Sequence, residues 1–175
     1  KILNVGLNFF RTGLLDILSK MGGAISVNNK KTINNELVGD IEVRTSNLSC
    51  VRTTGKISPR MIDEFPILFV AASFAKGRSK FNGIGELKVK ESNRLKAMHD
   101  ILKTLGVDIK MGDDSIEIVG KEKYNNVIKL YSLIQILYLS ICIEDVIIPE
   151  LNIIHTGKNK EGLNKNNKSN HFTIF

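Results

Sequence analysis

Two short segments hold the residues best placed to do chemistry. In Met61-Ile62-Asp63-Glu64-Phe65-Pro66, two carboxylates sit between apolar neighbours, just before a run from Ile67 to Ala75 that is apolar almost all round. Acids at a helix start have an ordinary purpose: the helix dipole stabilises them and they cap open N–H groups. The other reading is a carboxylate held ionised by backbone N–H groups at a desolvated place, where it accepts a proton. In Lys88-Val89-Lys90-Glu91-Ser92-Asn93-Arg94, cations flank the start of an amphipathic helix for which Ser92 is the expected N-cap. A helix N-terminus already attracts anions, and Lys90 and Arg94 beside it suit phosphate or carboxylate. Glu91 is then either a proton donor or the ion-pair partner of those cations.

The elements that position these segments follow from an internal repeat. Residues 16–27 read DILSKMGGAISV and residues 100–111 read DILKTLGVDIKM. Leu14, Ile17, Leu18 and Met21 fall at helical spacing, as do Leu95, Met98, Ile101, Leu102 and Leu105. Gly22 and Gly106 suit the left-handed position that closes a helix. Each unit continues into a second strand, IEVRTS at 41–46 and SIEIVG at 115–120, the latter after the turn-forming Gly112-Asp113-Asp114. Between the units, Pro66 fits the first turn of a buried helix, and a strand over Ser79–Val89 leads into the Leu95 helix. His99 falls on the polar side of that helix and is expected to be exposed. The order is an α/β repeat rather than a bundle. Beyond Gly120 the pattern weakens to a helix over 127–143 and a strand over 146–154, followed by a polar, Asn/Lys-rich tail over 155–175.

Composition narrows the function classes. The 175 residues suffice for one domain with a real core, and 42% apolar content excludes global disorder. The net charge of +7 fits anionic substrates, although Lys158, Lys160, Lys165 and Lys168 place part of it in the tail. With no Trp and few aromatics, a stacking platform for nucleic acid is not expected. The most apolar stretch, Val127–Ile143, is interrupted by Lys129 and Gln135 and falls short of the roughly 20 residues of a membrane span. Cys50 and Cys142 have no ligand-like spacing, and the expectation is two reduced thiols in the cytoplasm, with neither metal nor cofactor.

The same segments carry a resemblance. KVKESNRLKAMHDILKTLGVDI resembles the V-K-E-S-D-R-L segment of 5-enolpyruvylshikimate-3-phosphate (EPSP) synthases of the bacterial type. SPRMIDEFPILFVAASFAKGRSKFNGIGELKVKES resembles the block just upstream in that family, and FRTGLLDILSKMGGAISV resembles its earlier R-T-G-x-L-x-x-L-x-x-M-G-A segment. The likeness is colinear over residues 1–120 and degenerate over 121–154. It implies part of an inverse α/β barrel of the enolpyruvyl-transferase type, drawn from the C-terminal half only.

For function, the resemblance implies transfer of the enolpyruvyl group of phosphoenolpyruvate to shikimate 3-phosphate in the shikimate pathway. On that basis Asp63 is the general base, Glu91 the acid/base at the phosphoenolpyruvate methylene, Lys90 a shikimate 3-phosphate contact and Arg94 a phosphoenolpyruvate contact. Two polyanionic substrates need cations, and two opposed proton transfers need two carboxylates in different environments.

Three departures qualify this. Asn93 stands where the family carries Asp, which puts the orientation of Arg94 and Lys90 in question. The late Asp-His-Arg of the family has no counterpart, its place falling near Leu130, Tyr131 and Ser132. The family's N-terminal domain is absent, and the chain opens on Lys1 rather than Met. The expectation is a fragment, inactive alone, that needs a missing N-terminal half or associates with itself. The alternative is a non-catalytic remnant that survives as a partner-binding domain.

Overall fold

Two glycines at positive φ mark the repeat in three dimensions. In the computed structural model, which describes residues 1–90 and 92–121, Gly22 has φ +90° and Gly106 φ +84°. Each follows a helix: α1 (Gly13–Lys20) and α3 (Arg94–Thr104). The two caps are the same Schellman motif. Gly23 N–H donates to Leu18 O and Gly22 N–H to Ser19 O; at the second helix, Val107 N–H donates to Leu102 O and Gly106 N–H to Lys103 O.

The strands after each cap build two separate sheets. In the first, β1 (Ile2–Gly6), β3 (Glu36–Arg44) and β2 (Ala24–Ile33) lie antiparallel in the order β1-β3-β2. The second has the order β4-β5-β7-β6. In it β4 (Arg52–Thr53) runs parallel to β5 (Gly77–Asn82), while β7 (Ser115–Gly120) pairs antiparallel with both β5 and β6 (Asp108–Met111).

The central helix α2 (Phe65–Phe74) carries Pro66 in its first turn, as its missing N–H allows. It buries Phe65, Leu68, Phe69 and Ala72, though Ile67 remains 37% exposed. Phe69 meets Phe81 of β5 at 5.2 Å between ring centroids, and Phe65 lies 6.2 Å from the same ring. Leu95, Met98 and Leu102 of α3, with Ile116 and Ile118 of β7, close the core. Where α2 ends against β7 there is no room for a side chain: a Cβ on Gly120 would lie 1.9 Å from Ala75 O.

Three elements differ from their sequence reading. The strand expected over Ser79–Val89 stops at Asn82, because Gly83 takes φ +74° and the chain coils into a 3-10 turn at Gly85–Lys88. Asn93, not Ser92, is the N-cap of α3, its Oδ1 accepting from Lys96 N–H at 2.9 Å. His99 is not exposed: its side chain keeps 15% of its surface and its Nδ1 lies 2.9 Å from Asp100 Oδ1. Cys50 is a free, exposed thiol.

All described residues lie in one compact unit, Lys1–Cys142; the other, Ile143–Phe175, lies outside them. The helix read over 127–143, the strand over 146–154, the polar tail, Cys142 and Glu91 also fall outside the described residues.

Candidate active site at the heads of two helices

Asp63 lies in a 3-10 turn, Ile62–Glu64, that leads into α2. Its neighbours fix it: Met61 and Phe65 are buried on either side, so the carboxylate between them is turned outward and its side chain is 45% exposed. Neither Asp63 nor Glu64 caps α2 with its side chain. Asp63 Oδ1 instead accepts from Arg94 Nη1 at 2.9 Å.

Arg94 opens α3, and its side chain is only 10% exposed. Asn93 holds this helix start through its cap, a task either Asn or Asp performs, so the residue that departs from the family pattern keeps a structural role here. Lys90, just past the 3-10 turn Gly85–Lys88, brings Nζ to 3.6 Å from the same Asp63 oxygen and 3.3 Å from Glu86 Oε1. Buried Ile84 and Leu87 anchor that turn. Asp114 ties it down: its side chain accepts from Gly85 N–H and its carbonyl from Gly83 N–H at 3.0 Å.

Three of the four residues singled out in the sequence thus meet at one point, and the fourth, Glu91, lies outside the described residues. Two cations within 4 Å of one carboxylate oxygen, beside solvent, offer a phosphate or carboxylate both charge and directed N–H donors. The same carboxylate is an acceptor for a substrate hydroxyl. Sequence reasoning missed Glu86 and Asp114. Glu86 was visible as an acid four residues before Lys90, at ion-pair spacing, whereas Asp114 comes from a distant turn and left no local signal.

Four carboxylates away from this cluster are held below their usual range by their partners: Asp40 by Asn29, Glu42 by Arg44, Asp100 by Lys96 and Glu117 by Lys80. Among the described residues no group of acids, histidines and cysteines could hold a metal ion, and no helix is long and apolar enough to cross a membrane.

Comparison with known proteins identifies the family and the fold. The family model described as EPSP synthase (3-phosphoshikimate 1-carboxyvinyltransferase) matches residues 1–133. A 3-phosphoshikimate 1-carboxyvinyltransferase of Petrotoga mobilis is 45% identical over 122 residues, which is 70% of this chain and 28% of that protein. One from Geobacillus kaustophilus is 47% identical over 118 residues, again 28% of its length. Among solved structures, an EPSP synthase from Acinetobacter baumannii superposes with a TM-score of 0.65 at 40% identity, covering 70% of this chain and 28% of that one. The α/β architecture is therefore that of the enolpyruvyl-transferase fold, part of an inverse α/β barrel, and the chain spans little more than a quarter of the length of these relatives. On sequence and fold together, this chain belongs to the EPSP synthase family.

Proposed function

We propose that the chain supplies one face of an enolpyruvyl-transfer site, in which shikimate 3-phosphate and phosphoenolpyruvate are held between these residues and the remaining segments of an EPSP synthase. Asp63 takes the proton of the attacking shikimate hydroxyl, Lys90 and Arg94 hold the anionic groups, and Glu91 serves the phosphoenolpyruvate methylene. The observation that carries this reading is the 2.9 Å pair between Asp63 and a largely buried Arg94, with Lys90 beside it. Without ligand the cations are steadied by carboxylates; an arriving phosphate or carboxylate competes for them. The cytoplasm is the location that fits this role.

These residues correspond to little more than a quarter of the relatives' length and by themselves form one wall of such a site. Charge-assisted contacts are worth about 1.5–3 kcal/mol each, so losing several costs many orders of magnitude in rate. The expected result of a phosphate-release assay with both substrates is no turnover by the isolated chain. Turnover is expected when the remaining segments of an EPSP synthase are supplied in trans, and Asp63→Ala should abolish it. Turnover by the complemented Asp63→Ala variant at the unsubstituted rate would overturn the assignment.

A second reading, a partner-binding remnant of the fold, is favoured by one observation. The first sheet leaves Ile2, Leu3, Ile33, Leu37 and Val43 between 43% and 59% exposed. It predicts self-association in sizing experiments together with no binding of either substrate by calorimetry.

A further inference from the structure

A second cleft lies between the turn at Phe9–Arg11 and the segment Arg52–Arg60, and shares no lining residue with the Asp63 cluster. Its volume is about 620 Å³, within the range of small-molecule sites. Its lining joins two kinds of chemistry. Phe9 and Phe10 are 62% and 69% exposed and stand edge to face, with ring centroids 5.4 Å apart. Two exposed phenylalanines side by side are costly in water unless something covers them.

The ring pair is held in place. The Arg60 guanidinium lies 3.7 Å from the centroid of the Phe9 ring, and its Nε donates to Phe9 O at 2.8 Å. Asp16, 2.8 Å from Arg60 Nη2, balances that charge. The other three cations of the cleft, Lys20, Arg52 and Lys56, have no ion-pair partner among the described residues, and no acid lines the cleft. A concave surface with uncompensated positive charge concentrates anions.

We propose that this cleft binds a small organic anion carrying a flat apolar ring. Its phosphate or carboxylate is held by Lys20, Arg52 and Lys56, and its ring packs against Phe10. The ring accounts for the exposed phenylalanines and the anion for the unpaired cations. The site does not depend on the Asp63 assignment.

Amide NMR titration of the full chain tests this, with phenyl phosphate, benzoate and inorganic phosphate as probes. Phenyl phosphate or benzoate should shift the amides of Phe10, Thr53 and Thr54, and whichever binds more tightly identifies the anionic group. Phe10→Ala should weaken that probe about fivefold and leave inorganic phosphate unchanged, since it removes one aromatic contact. Arg52→Ala should weaken it about tenfold. Shifts confined to residues near Asp63 and Arg94, or a Phe10→Ala variant that binds the aromatic probe as the unsubstituted chain does, would overturn the proposal. Both side chains are exposed, so neither substitution threatens the fold.

Discussion

The two repeat units share a helix, a glycine cap and a following strand pair, yet they bury very different amounts of themselves. In the second unit, Leu95, Met98 and Leu102 of α3 are essentially inaccessible, and β7 lays Ile116 and Ile118 against the core. In the first, α1 buries Ile17 and its C-cap residue Met21 is buried too, while β2 keeps most of its residues exposed and β3 buries only its centre. Equal local signals therefore gave equal local structure, and what separates the units is α2, whose apolar surface packs on the second. The candidate active site sits on the well-packed side, where the heads of α2 and α3 are fixed by their neighbours.

The comparison breaks most visibly under core truncation. Phe69→Ala removes a fully buried ring that touches Phe65 and Phe81, and should cost about 3–5 kcal/mol by urea denaturation. Leu37→Ala, in the first sheet and 44% exposed, should stay within about 0.5 kcal/mol. Equal losses from the two would show that the first sheet is covered in solution.

A smaller effect is expected at the site. Asp63→Ala leaves Arg94, with its largely buried side chain, without its 2.9 Å partner. Because Asp63 itself is nearly half exposed, solvent screens the pair and the expected loss is about 1 kcal/mol, well below that of the core. The Glu42–Arg44 pair on the first sheet is more open, and Glu42→Ala should leave the melting temperature unchanged.

The glycine caps sharpen the comparison from the other side, because there the units should behave alike. A Cβ on Gly106 meets nothing within 4 Å, and one on Gly22 meets only Asn47 O at 3.7 Å. Alanine at either position pays for the left-handed backbone alone, about 1 kcal/mol in each unit. Unequal costs would mean that the caps are alike only in form.

Much of this was legible from residue types alone. The repeat, both glycine caps and the buried helix after Pro66 follow from short-range pattern, and residue type marked Asp63, Lys90 and Arg94 as candidates, but the pairing of Asp63 with those cations was set by the fold. What escaped was set by contacts between distant segments. The strand read through Val89 stopped at Gly83 because the chain crosses Gly55 there: a Cβ on Gly83 would lie 2.2 Å from Gly55 Cα. Ser92 lost the cap to Asn93 by one residue, a shift that pattern alone does not resolve. His99 reads as polar on its helix, but its side chain keeps only 15% of its surface, with Nδ1 2.9 Å from Asp100 Oδ1. The pairing of Phe9 with Arg60 joins segments 51 residues apart, and nothing in either segment announces the other.

The least effect, and the most local, concerns acid. Asp40 is the polar centre of the first sheet: its Oδ2 accepts from Asn29 Nδ2 at 2.7 Å and its Oδ1 from Asn4 N–H at 3.0 Å. Both asparagines have positive φ and lie where the strand register shifts, so one carboxylate joins two bulges. Those hydrogen bonds, chiefly from Asn29, hold Asp40 below its ordinary value of 3.8. A carboxyl with a lowered folded pKa binds fewer protons folded than unfolded between the two values, so stability rises with pH across that window. The contribution is complete above pH 3.8 and disappears as pH falls through the folded value. Asp40→Asn should therefore flatten the acid limb of the stability curve and leave its shape near neutrality unaltered. Because the bulges belong to the first sheet, amide exchange in that variant should quicken at Asn4 and Asn29 and not in α2 or β7. Quickened exchange across both units would mean that the two sheets open together, and the contrast in burial would carry no contrast in stability.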